Sequence, residues 1–224
     1  MPVALEQDPP GAVAGGVSAS ARPPLWQRLT AGGTDGNGLL TAATGALLLV
    51  LLVLLGVTIV AIHPLIDEHL FLGMLLLGPL TLKLSSVGYR LALYHAGNAR
   101  YRAKGLPELV MRALAPFVVL TTLAVFASGV VLLAAGPSSR GTWNEIHKLS
   151  FMLWLAAWWG HVILHLPDLP KLLSARKRER ERPWDDYGSG RGGRALSLAA
   201  AILAGTVLAV LVIPLFHSWA AFEH

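Results

Sequence analysis

From Leu47 to Ile62 the chain reads LLLVLLVLLGVTIVAI, sixteen residues without a charge, inside a longer apolar stretch from Leu39 to Ile62. A stretch of that length is matched to a hydrocarbon layer of about 30 Å. No water is available there to satisfy backbone N–H and C=O groups, so an isolated apolar segment can only be a helix. Four further apolar stretches follow, over 69–94, 109–135, 143–166 and 195–216. The expected fold is therefore all-α: an integral membrane helical bundle of five transmembrane helices. Charged residues make up 14% of the chain, against about 25% in soluble domains, which points the same way.

The segments between these stretches set an orientation. Residues 1–38 are rich in Pro, Gly, Ala and Ser and lack apolar periodicity. They read as a disordered tail with a short interfacial turn around Leu25–Leu29, and they carry no signal-peptide pattern. His63-Pro64 ends the first helix, because proline disfavours helical backbone in the residue before it. Loops 95–108 and 167–194 hold three and eight basic residues, whereas connections 63–68 and 136–142 hold none and one. Positive charge marks the cytoplasmic side. The expectation is a multi-pass plasma-membrane protein with a cytoplasmic N-terminus, a basic cytoplasmic loop at 167–194 and an extracytoplasmic tail at 217–224. The net charge of +5 then reports topology and not nucleic acid, and RKRERER (176–182) reads as a solvated juxtamembrane extension that also meets anionic lipid.

Chemistry has few places to reside. The chain has no cysteine, which removes disulfides, thiolate ligation, iron–sulfur clusters and covalent c-type haem. Any metal or cofactor falls to the eight histidines, Met, carboxylates or carbonyls. TWNEIHKLSFMLWLAAWWGHVILHL (142–166) carries three of the histidines within an apolar helix. At about 100° per residue, His147 and His161 project from one face with an axial separation of about 21 Å. His165 falls on the same side, and Trp154 and Trp158 lie along the stripe. Imidazoles stacked by depth on a spanning helix are suited to hold haem against a neighbouring helix.

Depth then sorts them. The second and fourth stretches run in the same direction, so His69 and His147 both sit at the outer edge of the hydrocarbon. They form one matched axial pair. His161 and His165 have no equal partner at the inner side, because the second helix carries Lys83 fourteen residues beyond His69. His95 lies beyond the helix end. One haem b is thus expected, on His69 and His147, with a second involving His161 left open. His69, Leu76, Lys83 and Arg90 recur every seven residues and share a face. Ionisable groups inside a membrane default to function, so Lys83 and Arg90 are candidates to neutralise propionates or orient a quinone. Leu76, Phe151 and Trp154 are candidates to shield the haem. Pro79 is expected to kink the second helix and free a carbonyl.

These residues carry a resemblance. His69-LFLG, LTLKLSSVGYR (80–90), Tyr101 with Gly105-Leu-Pro107, Arg112-Ala-Leu-Ala-Pro116, Ser128-Gly129-Val, and His147-Lys148 followed by His161 and His165 together resemble the cytochrome b561-like and di-haem b-type membrane cytochromes. The likeness spans roughly 63–168, about half the chain. It implies a four-helix haem-binding core that passes electrons beside a redox partner subunit, with ligand roles on His69, His147 and more weakly His161. Lys83 departs from the two-haem pattern. No flavin or nicotinamide motif is present, so terminal chemistry would belong to a partner. The resulting expectation is an electron-transfer subunit, exchanging electrons with quinone or a partner oxidoreductase. The competing class is a non-redox membrane protein, transporter-like or a structural anchor, in which the buried Lys83 and His161 serve ion or proton passage.

Overall fold

A computed structural model describes residues 33–103, 109–168 and 190–220, with Pro170 and Ser174. Its elements are α1 (Gly33–Val60), α2 (Ile66–His95), a short α3 (Ala99–Ala103), α4 (Leu109–Ala135), α5 (Arg140–His165), α6 (Arg191–Leu211) and α7 (Ile213–Ala220). Single 3-10 turns lie at Pro137–Ser139 and Leu166–Asp168, and no strand occurs among the described residues. The all-α expectation holds. Four helices are long and apolar enough to cross a membrane: Gly36–Val60, Ile66–His95, Arg112–Ala135 and Arg191–Leu211. Many of their large apolar side chains face outward, among them Val53, Val57, Leu120 and Leu203, as lipid-facing surface requires. Helix α5 is not among the four. Its 26 residues suffice in length at about 1.5 Å each, but Asn144, Glu145, His147 and Lys148 dilute its first turns.

Several element bounds differ from the expected spans, each for a local reason. Helix α1 begins at Gly33, inside the segment read as a tail, and Asn37 ties that first turn down. Its Nδ2 donates to the Ser86 carbonyl at 3.2 Å, and its Oδ1 accepts from Ser86 Oγ at 2.9 Å. The fifth apolar stretch was expected to run to Phe216, but α6 stops at Leu211 and α7 starts again at Ile213. Pro214 explains the break, since it has no N–H to continue the ladder of α6 and is tolerated in the first turn of a new helix. His217 to Ala220, read as a tail, are helical in α7. Residues 1–32 and most of the basic loop lie outside the described residues.

Helix α2 is the centre of one group. It packs along α1 on one side and α6 on the other, while α4 and α5 form a separate hairpin joined by the turn at Gly136 (φ 73°). The α2–α6 contact is close enough to admit only glycine. A Cβ on Gly78 would strike the Ala201 carbonyl, and a Cβ on Gly205 would strike the Leu75 carbonyl. Small residues let helices approach within dispersion range where no hydrophobic effect can drive association. Pro79 adds to this. Lacking an N–H, it leaves the carbonyl four residues back, at Leu75, without its helical donor, and that is the carbonyl lying against Gly205.

Candidate functional site

The two helix groups meet at a seam, and a cavity of about 520 Å³ lies in it. Cofactor and ligand sites run from about 300 to 1,000 Å³. Leu52, Leu55 and Ile59 of α1, Leu70 and Met74 of α2, and Val125 and Phe126 of α4 supply much of its wall. Two residues expected to face each other across the outer half line it together: His69 from α2 and His147 from α5.

Both imidazoles are held by their Nδ1 atoms. Thr58 Oγ1 on α1 lies 2.9 Å from His69 Nδ1. The same hydroxyl gives its only hydrogen to the Leu55 carbonyl at 2.6 Å, so toward the ring it is an acceptor. Nδ1 of His69 therefore carries the proton. His147 Nδ1 lies 3.1 Å from the Val125 carbonyl, which can only accept. Ser128 Oγ stands at 3.1 Å from the same nitrogen and bridges on to Ser150 Oγ. Nδ1 of His147 is protonated by the same argument. Each ring is left with its lone pair on Nε2, and among the described residues neither Nε2 has a hydrogen-bond partner. A histidine whose Nδ1–H is spent on a carbonyl or hydroxyl is oriented and made more basic for ligation through Nε2.

Among the described residues no three His, Asp or Glu gather to hold a bare metal ion. The donor set is instead two neutral imidazoles in an apolar chamber, which suits a cofactor that brings its own equatorial donors. Two glycines support the same fit. Gly73, one turn beyond His69, lines the cavity, and a Cβ there would meet nothing within 4 Å. A Cβ on Gly129 would stand 3.1 Å from His147 Cε1. A side chain at Gly73 would enter the cavity, and one at Gly129 would push the His147 ring.

The remaining sequence candidates lie elsewhere. Phe151 and Trp154 line the cavity as the shielding expectation had it, and Trp154 Nε1 donates to Thr122 Oγ1 at 3.0 Å. Leu76 is fully buried but does not line it. Lys83 and Arg90 do not line it either. Lys83 Nζ donates to the Thr41 carbonyl of α1 at 2.6 Å, beside Gly45, and Thr41 Oγ1 bonds Ser86 Oγ in the same polar cluster. His161 sits on α5 outside the cavity lining, and His165 ends α5 with its side chain outside the described residues.

His63, Arg140, Lys148 and Trp219 are among the lining residues that sequence reasoning did not assign to the site. The first three carry polar or cationic groups to the end of the cavity nearest the α1–α2 and α4–α5 turns. Trp219 comes from α7 and is 6% exposed, and its Nε1 has no hydrogen-bond partner. An unmet buried donor costs about 1–3 kcal/mol. His63 and Lys148 were visible as polar residues at helix ends. Trp219 carried no such signal, because only the break at Val212 turns α7 back over the bundle.

Taken together, fold and site define a multi-pass helical protein apolar enough for a membrane, with a cofactor-sized cavity that presents two ligand-ready imidazoles. No family model, curated protein or solved structure matches the chain.

Proposed function

We propose that the chain is an integral-membrane b-type cytochrome, an electron-transfer subunit with five spans and a haem-binding core built from α1, α2, α4 and α5. The observation that carries this reading is the hydrogen bonding of His69 and His147 through Nδ1, from which their tautomers follow. Both expose an Nε2 lone pair while lining one apolar cavity of about 520 Å³. Haem b, when bound, would supply a one-electron carrier, and two axial imidazoles favour electron transfer over substrate binding at iron. The chain's own part is to fix the two rings through Thr58, Val125 and Ser128, to exclude water with Phe126, Phe151 and Trp154, and to shape the chamber. One haem is favoured. His161 lies outside this cavity, and a second haem would need an inner partner that Lys83 does not provide.

In this reading the plasma membrane holds the bundle with its N-terminus cytoplasmic, lipid covers the outward apolar faces, and quinone or a partner oxidoreductase subunit exchanges electrons with it. Full-length protein purified from haem-replete cells in mild detergent should show dithionite-reduced Soret and α bands at one haem per chain. His69→Ala and His147→Ala should each abolish the low-spin spectrum, and His161→Ala and His217→Ala should leave it intact. A colourless wild-type protein would remove the reading.

A further inference from the structure

The fifth apolar helix and α7 lie outside the stretch of the chain that carries the family likeness, yet they reach the cavity. Gly78 and Gly205 lock α6 to α2 at backbone contact. After the break at Val212, α7 packs Phe216 and Trp219 into a buried cluster with Met74, Leu133 and Ala209. Trp219 thereby borders the cavity that Arg140 also lines. Its indole N–H is shut off from solvent and has no acceptor among the described residues.

We propose that Trp219, with Arg140, holds a carboxylate of the molecule that fills the cavity, so that α7 is a built part of the cofactor site and Trp219 a positioning residue for it. The inference rests on the haem reading, and in that case the carboxylates are the two propionates. Three features converge on an acid. Arg140 brings a cation to a chamber whose wall is otherwise largely aliphatic and aromatic, whereas Lys148 is already paired with Glu145 at 3.2 Å in an exposed position. A buried donor there lacks an acceptor. The N–H edge now faces the packed cluster and not the cavity, and a rotation of the indole on seating the ligand would turn it into that space. A hydrogen bond from a neutral donor to a charged acceptor is stronger than one between neutral groups, so satisfying Trp219 with a carboxylate secures both partners.

The test compares haem with its dimethyl ester, which keeps the macrocycle and iron but loses both charges. Each is loaded into full-length protein in detergent, and its rate of loss to a haem-scavenging globin is followed by absorbance. For wild type, the free acid should leave at least tenfold more slowly than the ester. Trp219→Phe keeps the aromatic packing and removes only the N–H. It should speed loss of the free acid about tenfold and leave loss of the ester unchanged, with the bis-histidine α band intact. Arg140→Gln should shift the same comparison in the same direction, which keeps the inference testable should Trp219→Phe fail to fold. Equal effects on acid and ester, or no effect on either, overturn the role of α7 while leaving haem binding in place. A wild-type protein that takes up neither overturns the haem reading itself, and this inference with it.

Discussion

At the residue scale, the site depends on two hydroxyl-bearing side chains that touch no ligand. Thr58 settles the His69 tautomer because its hydrogen is committed to Leu55. Val125 and Ser128 settle that of His147. Partners of this kind typically change metal affinity 10- to 100-fold when removed. Thr58→Val keeps the shape of the side chain and deletes the acceptor, so the buried Nδ1–H of His69 loses its partner and the ring becomes a poorer base. The expected outcome is faster haem loss and a higher midpoint potential, because a less electron-rich ligand stabilises the ferric state less. Spectroelectrochemical titration checks it, and an unchanged potential would show that Thr58 does not act through His69. A helix-facing threonine elsewhere, such as Thr206, whose hydroxyl bonds only its own helix at Ile202, is the control. That His69 and His147 border one cavity was legible from sequence, because depth along a helix follows from residue count. The hydrogen bonds behind them were not, since they depend on how α1 and α4 are rotated about their axes. An aliphatic-rich helix such as α1 carries little pattern to fix that angle.

At the scale of elements, two members of the heptad repeat on α2 meet α1. His69 reaches Thr58 at one end and Lys83 reaches Thr41 at the other, an antiparallel match over fourteen residues of α2. Lys83 thus reads as a tie between helices and not as a ligand group. Its ammonium gains one hydrogen bond and a polar neighbourhood of Asn37, Thr41 and Ser86, but it bears the desolvation of a charge, and buried charges are often replaceable by apolar residues at little cost. Lys83→Met should leave the haem content at wild-type level and change thermal stability by no more than about 1 kcal/mol. Loss of haem in that variant would return Lys83 to the site. The contact of α6 with α2 should respond in the opposite way. Gly205→Leu places a branched side chain where the Leu75 carbonyl already stands, and overpacking of this kind costs about 1–3 kcal/mol or more. A clear fall in melting temperature is expected, with Gly56→Leu, where a Cβ meets nothing within 4 Å, as the neutral comparison. Gly78, Pro79 and Gly205 were each visible in the sequence, and the N–H that Pro79 lacks follows from the residue type alone. What the Leu75 carbonyl meets depends on which helix lies alongside, and a single sequence has no term for that.

At the scale of the whole molecule, the open matter is α5. Four helices pass on length and apolarity; α5, which is not among them, carries Asn144, Glu145, His147 and Lys148 in its first turns and Trp158, Trp159 and His161 further along. Those polar groups have a use, since Asn144, His147 and Lys148 line the cavity and Glu145 pairs with Lys148 at 3.2 Å in an exposed position. A helix that faces a cofactor chamber on one side need not look apolar all round. Its packing along α4 favours crossing beside it. The two topologies make different statements about sidedness, and the absence of native cysteine gives a clean way to read it. Single cysteines at Ala99, Ser138, Ser174 and Ser218, in an otherwise cysteine-free chain, are offered a membrane-impermeant maleimide on intact cells and again after permeabilisation. With five spans and the positive-inside orientation, Ser138→Cys and Ser218→Cys label on intact cells, and Ala99→Cys and Ser174→Cys label only after permeabilisation. If α5 does not cross, Ser138 and Ser174 label together on one side, and Ser218 falls on the side opposite to Ser138. His147 would then no longer be carried across the membrane by α5, and the haem would have to be bound by a helix lying along its seam with the bundle.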